Sequence, residues 1–216
     1  LAGDERHARA FWDHFECFTE ANPPGLGPNW VSGQEVALRL MSLLWAGQVF
    51  AGAACSTPQR LSRLVDSAAA HAARIPPTLV YARSQHNNHL LSEAAGLVTA
   101  GLALAHLPQA GGWLSLGWRW LNRGLQAQID GYGEYAQHSS NYHRLVLQLV
   151  LWVDAILREQ DRLGQPGPRL RWPRSSRDPI RRSIHWLLSL LDAESGRVPN
   201  LGANDGAYLF PLSPCP

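Results

Sequence analysis

The sequence predicts an all-α fold, and three observations carry that prediction. Apolar residues recur at spacings of three and four along most of its 216 residues. The periodic segments are separated by Pro- and Gly-rich breaks with Ser, Thr or Asn just ahead of the next segment, which is how helices are capped. No run of useful length alternates apolar and polar residues as a half-buried strand would. Short connections between such helices make neighbours antiparallel, as in bundles, solenoids and α/α toroids. No internal repeat stands out, which argues against a regular solenoid.

The first helix spans Asp4 to Asn22, with Phe11, Trp12, Phe15 and Phe18 on one face. Pro23-Pro24-Gly25 through Pro28 breaks it. Ser32 with Glu35 forms the pattern of a capping box. The second helix follows, from Gln34 to Ala51, burying Val36, Leu40, Leu43, Leu44 and Val49. Thr57-Pro58 opens a third, expected to end at Ile75 because Pro76-Pro77 follows. A fourth starts after Asn87, and Gly96, Ala100 and Gly101 keep its waist thin enough for a neighbour to come close. Trp113 to Ile129 is the fifth, and Ser139 to Glu159 the sixth, almost unbrokenly apolar from Leu145 to Leu157. Asp178-Pro179 is expected to start a seventh, ending near Asp192, and the Asn- and Gly-rich tail is read as irregular.

Length and composition fit one helical domain over 1–216, with 45% hydrophobic and 17% charged residues. The net charge of +2 is too small to argue for a polyanionic partner, and every basic residue other than His is Arg. Arg169, Arg171, Arg174, Arg177, Arg181 and Arg182 read as a solvated rim, because no nucleic-acid-binding motif accompanies them. Cys17, Cys55 and Cys215 are odd in number and lack C-x-x-C spacing, so they indicate neither a disulfide framework nor a zinc site. No apolar run reaches the roughly 20 residues of a membrane span, and no signal peptide is present. A start at Leu1 leads us to expect a piece excised from a longer protein. Nine Trp residues are many for this length, and flat indole faces suit sugar rings as well as cores.

Two helix starts hold the side chains able to do chemistry. His86-Asn87-Asn88-His89 opens the fourth helix and Gln137-His138-Ser139-Ser140-Asn141-Tyr142-His143 opens the sixth. His89 and Glu93 share a helical face, so Glu93 could orient the imidazole. Asn87 or Asn88 also serves as a plain N-cap. Tyr142 sits about three residues inside the sixth helix, with Ser139 or Ser140 as the cap. The partial positive charge there would lower a phenol pKa and attract a carboxylate, which makes Tyr142 a proton-transfer candidate. His86, His89 and Glu93 lack any recognised metal-ligand pattern, and there is no Gly-rich phosphate loop or G-x-S-x-G elbow. No metal and no cofactor enter this reading.

These segments resemble a known family. Asn87 to Glu93, Gln137 to Arg144, Pro199 to Ala207, and Gly27-Pro28-Asn29-Trp30 with Glu35 to Arg39 are similar, in order, to the helical domain of heparinase II/III-like polysaccharide lyases. That group includes alginate and oligoalginate lyases. The resemblance implies a partial α/α toroid, with the family's C-terminal β-sandwich domain absent from this chain. It implies β-elimination on an acidic, uronic-acid-containing polysaccharide. Carried over by motif, Asn88 and His89 bind and neutralise the uronate carboxylate. Tyr142 is the catalytic acid, with the base role also open to it. His143 and Glu93 support substrate binding, and Trp30, Asn204 and Asp205 line the cleft. By the same analogy the protein is periplasmic or secreted, and the β-sandwich domain is its partner across the cleft, supplying further catalytic residues. Activity of this segment alone is therefore not expected.

Two other readings stand beside this one. An inverting glycoside hydrolase on an α/α barrel needs two opposed carboxylates, for which Glu93 with Asp130 or Glu134 are the candidates. A non-catalytic glycan-binding helical domain needs neither.

Overall fold

The structure is a computed structural model that describes residues 5–164 and 167–204. Seven α-helices make up the described chain: α1 (Glu5–Ala21), α2 (Gly33–Phe50), α3 (Pro58–Gln85), α4 (Asn88–Ala103), α5 (Ala110–Gln128), α6 (Ser140–Leu163) and α7 (Arg174–Ser189). Among the described residues there is no strand, only an isolated bridge between Ile129 and Tyr135. The fold is all-α, as the periodicity predicts.

Pair contacts set the direction of each helix. A Cβ on Gly33 would strike Thr78, and one on Gly47 would strike Leu64, so α2 and α3 are antiparallel. Gly101 meets Leu114 while Gly124 meets Leu91, so α4 and α5 are antiparallel as well. Gly33 also abuts Glu93 and Gly96 abuts Ala37, which makes α2 and α4 parallel. The Trp152 indole N–H donates to Thr99 Oγ1 (2.9 Å), and the Asn88 amide reaches Gln137 just ahead of α6, so α4 and α6 also run in parallel. The even-numbered helices therefore all begin at one end, and the odd-numbered ones return outside them, the arc of an α/α toroid. Nearly every residue of α4 is buried, because α2, α3, α5 and α6 all pack on it.

Local chemistry explains most helix boundaries. Ser32, Thr57, Asn87 and Ser139 each accept a backbone N–H from the first turn that they precede. Two boundaries differ from expectation. Helix α3 does not stop at Ile75 but runs through Pro76 and Pro77 to Gln85. Both prolines lie off the buried face, and the stripe Ala72, Ile75, Leu79 and Ala82 packs into the core on either side of them. Burial of that stripe offsets the lost backbone bonds, about 3 kcal/mol for an interior proline. Helix α7 begins at Arg174, ahead of Pro179, because Ser176 is buried and donates to Asn122 Oδ1 of α5 (2.5 Å).

Candidate functional site

The ends of α4 and α6 are built alike. His86 (φ 51°) and His138 (φ 49°) both adopt the left-handed conformation, each one residue before a cap. The caps follow: Asn87 Oδ1 accepts the His89 amide (3.0 Å), and Ser139 Oγ accepts the Tyr142 amide (3.2 Å). The αL residue turns the chain sharply, and the cap then starts the helix.

Gln137 ties the two starts together. Its Oε1 accepts the backbone N–H of Asn88 (2.9 Å) and the hydroxyl of Tyr135 (3.1 Å), whose oxygen also lies 3.1 Å from Gln128 Oε1. Burial, and after it the charge of a nearby Tyr142, push the Tyr135 pKa upward, so Tyr135 stays a protonated donor with Tyr142 as its neighbour. Thr99 and Trp152 are separated by 53 residues in sequence and touch. Together with the Gln137–Asn88 bond, this contact places the first turns of the parallel helices α4 and α6 side by side. Asn88 is buried, whereas His89 and Tyr142 are half-buried.

Backbone amides at these ends are already engaged. The Ser140 amide donates to Leu201 O (3.0 Å), and Ser139 Oγ and Ser140 Oγ bond Ala203 O (2.6 Å) and Pro199 O (2.8 Å). Gly202 (φ 70°) lets this tail lie directly on His138 and Ser139, where a Cβ would be 2.3 Å from a carbonyl oxygen. The sequence reading gives the α6 N-terminus the task of attracting a carboxylate. In the structure the tail and the caps occupy much of that terminus.

The supporting residues separate into two groups. Asn204 reaches the same end: its amide donates to Asn200 Oδ1 (3.3 Å), and Asn200 Oδ1 accepts from Asn141 (2.6 Å). Asn204, Asn141 and Arg144 border an open groove of about 500 Å³. Glu93 is 1% exposed, with its carboxyl against Gly33 of α2 and Thr78 of α3. Burial raises its pKa to about 7, against smaller lowering effects of the Thr78 hydroxyl and Arg74. Thr78 Oγ1 lies 2.7 Å from Ile75 O and 2.9 Å from Glu93 Oε2. One hydroxyl proton cannot serve both oxygens at once: Thr78 donates to the ionised Glu93 carboxylate, and when Glu93 is protonated it can donate to Thr78, which then donates to Ile75 O.

Trp30 and His143 stand elsewhere. Trp30 is 3% exposed; its indole N–H donates to Asn22 O (3.3 Å), and its ring sits 4.4 Å from the His71 ring. It is a core residue, without a free face for a sugar. His143 is 1% exposed, stacked on Trp186 at 4.8 Å, with Nε2 bonded to Ser183 O (2.9 Å). Burial lowers its pKa, so it is neutral and it joins α6 to α7 rather than facing a cleft. Asp205 lies outside the described residues. Among the described residues no group of three His, Cys, Asp or Glu side chains is placed to hold a metal ion. No helix among them is long and apolar enough to cross a membrane.

The carboxylates that a hydrolase would need are engaged in the fold. Asp130 Oδ1 accepts three backbone amides, from Tyr132, Gly133 and Glu134 (2.8–2.9 Å), and Glu134 pairs with His138 (2.8 Å).

The family model of the heparinase II/III N-terminus matches residues 1–195. The chain belongs to the heparinase II/III-like polysaccharide lyase family. It is similar to the heparin-sulfate lyase of Bacteroides thetaiotaomicron, 27% identical over 146 residues, covering 66% of this chain and 20% of that protein. In fold it is similar to heparinase III, with a TM-score of 0.71 at 23% identity over 88% of this chain and 28% of that one. Heparan sulfate lyase HepC from Pedobacter heparinus gives a TM-score of 0.62 at 23% identity, over 91% of this chain and 30% of that one. The chain thus spans a fifth to under a third of these relatives.

Sequence reasoning missed Gln137, Tyr135, Thr78 and Gly33, which position the site. Gln137 lies inside a quoted motif, and its place two residues before a cap was the available signal. The Thr78–Glu93 contact joins two helices and has no local signature.

Proposed function

We propose that this chain is the helical part of a polysaccharide lyase that cuts an acidic, uronic-acid-containing glycosaminoglycan by β-elimination. Membership of the lyase family supports the reaction class, and the lyases among its relatives carry the names heparin-sulfate and heparan sulfate. The observation that carries the residue assignment is the Gln137 bridge, which holds the starts of α4 and α6 side by side. Asn88 and His89 donate hydrogen bonds to the uronate carboxylate, which acidifies the C5–H bond. As the C5 proton leaves, its bonding pair forms the C4=C5 double bond and the C4–O glycosidic bond breaks. Tyr142 delivers a proton to the departing oxygen and, as a phenolate, is also able to take the C5 proton. A β-sandwich domain of the full-length protein forms the opposing wall, and export to the periplasm or medium brings the enzyme to its polymer; cell fractionation tests the latter.

The test is Tyr142→Phe in the full-length protein, assayed for the unsaturated product by ultraviolet absorbance. The substrates are heparan sulfate, hyaluronan, alginate and an unsulfated bacterial polymer. A loss of about 10²–10⁴-fold is expected for removal of a general acid–base. Unchanged turnover would remove Tyr142 from the mechanism. A product carrying added water instead of a double bond would replace the lyase with a hydrolase. Calorimetric binding with no product from any polymer would leave a glycan-binding domain.

A further inference from the structure

Arginines crowd one tryptophan beside the candidate site. The guanidinium carbons of Arg83, Arg123 and Arg119 lie 4.0, 5.3 and 5.9 Å from the Trp120 ring centroid. Arg83 comes from the last turn of α3, and the other two lie one turn apart on α5. All three are exposed. Among the described residues every ion-paired carboxylate is matched to some other base, so none of these arginines is neutralised. Three like charges on one ring repel one another unless an anion lies among them.

They border a groove of about 450 Å³ that also takes in His86, Leu90 and Gln128. Gln128 also lines it at 1% exposure; with its amide turned so that Nε2 donates to the Tyr135 oxygen, and Tyr135 donating to Gln137, all three groups are satisfied. The groove also adjoins the site directly. His86 immediately precedes the Asn87 cap of α4, and Gln128 shares the Tyr135 hydroxyl with Gln137.

We propose that this groove is a subsite for the sulfate groups of an extended glycan, flanking the sugar held at Asn88, His89 and Tyr142. Guanidinium forks match sulfate oxygens two at a time, and the Trp120 ring holds the guanidinium planes in place. The identity of the ligand rests on the lyase reading; the presence of an anion site does not.

The experiment uses the full-length protein carrying Arg83→Gln, Arg119→Gln and Arg123→Gln together, with Arg123→Gln alone as a milder variant. Affinity is measured by calorimetry for heparan sulfate, its chemically desulfated counterpart, inorganic sulfate and a single-stranded oligonucleotide. The measurement is made on a Tyr142→Phe background, and initial rates are taken with Tyr142 intact. For the triple variant, affinity for the sulfated polymer is expected to fall about tenfold or more. The slope of log K against log salt should flatten by about 2, since each lost cation removes roughly 0.7–0.9. Affinity for the desulfated polymer and kcat should stay unchanged. Equal losses on both polymers, or none, would overturn the proposal. So would a larger loss for the oligonucleotide, or inorganic sulfate binding as tightly as the polymer. Absence of unsaturated product with every polymer would defeat the lyase reading, while the difference between the two polymers would still decide the groove.

Discussion

Replacing Glu93 by Gln should change how stability depends on pH, in a direction set by the burial of this carboxyl. Glu93 is 1% exposed and its pKa is pushed up to about 7, against an ordinary 4.5. A carboxyl with a raised pKa in the folded state contributes stability below its unfolded pKa. That contribution disappears as pH rises through the folded value. Between pH 5 and pH 8 the loss is about 2.5 kcal/mol, from 1.36 kcal/mol per pKa unit. The wild-type profile alone does not isolate it, because His71 acts in the opposite sense. Burial against Trp30 and beside Arg39 lowers the His71 pKa to about 4. Its stabilisation is present at high pH and is lost as pH falls below about 6.5, by about 2 kcal/mol at pH 5. His143, also lowered by burial, adds to the same side. The informative quantity is therefore the difference between wild type and Glu93→Gln. Gln retains a neutral amide that donates to Thr78 as a protonated carboxyl does. Urea unfolding across pH 5–8 should show the variant gaining about 2.5 kcal/mol relative to wild type at the alkaline end. Parallel profiles for the two proteins would mean that Glu93 ionises without penalty and that the buried, neutral carboxyl is wrong.

Two further substitutions examine the frame around the site. Gly117→Ala places a methyl 2.7 Å from Ala94 O and 2.8 Å from Val98 N, both backbone atoms of α4. Gly112→Ala, on the same helix, meets nothing within 4 Å. Overpacking should destabilise the first by about 1–3 kcal/mol in urea unfolding, while helix propensity should stabilise the second by up to about 1 kcal/mol. Gln137→Ala removes the acceptor for the Asn88 amide and one of the two near the Tyr135 hydroxyl. It should cost about 1–2 kcal/mol of stability and lower kcat of the full-length enzyme more than it raises KM, since it loosens the group that holds the two helix starts in register.

Features decided within a few residues were legible in the sequence, and features decided across the fold were not. Ser32, Thr57 and Asn87 cap their helices because a short polar side chain can reach an amide two or three residues on. The likeness between the His86–His89 and His138–Tyr142 segments was visible as text and corresponds to the same turn, a left-handed His followed by a cap. Pro76-Pro77 reads locally as a stop, but the stripe from Ala72 to Ala82 has a tertiary partner that no local rule contains. Trp30 and His143 were misassigned for the same reason. Their burial is set by His71, 41 residues downstream, and by Ser183 and Trp186, 40 and 43 residues downstream. The three arginines at Trp120 escaped notice because they come from two helices, and each alone is an ordinary surface charge.

Saturation of the helix ends bears directly on how the site works. An uncapped pair of N-termini would offer an incoming carboxylate several free amides and two helix dipoles. Here Gln137, Asn87, Ser139 and the tail carbonyl of Leu201 engage the amides of Asn88, His89, Tyr142 and Ser140. Of these, the Gln137–Asn88 bond joins the two helix starts. On the proposed reading, the chemistry then falls to side chains in the first turns of two neighbouring helices: an amide, an imidazole and a phenol. If the chain acts as proposed, side chains held this way would need little reorganisation as charge develops on a uronate, the condition under which hydrogen-bond donors stabilise an enolate-like state most strongly. On the same reading, an ionised carboxylate one turn below Asn88 and His89 would oppose an incoming anion; burial against Gly33 and Thr78 raises the Glu93 pKa to about 7, so that charge is largely absent only below neutral pH.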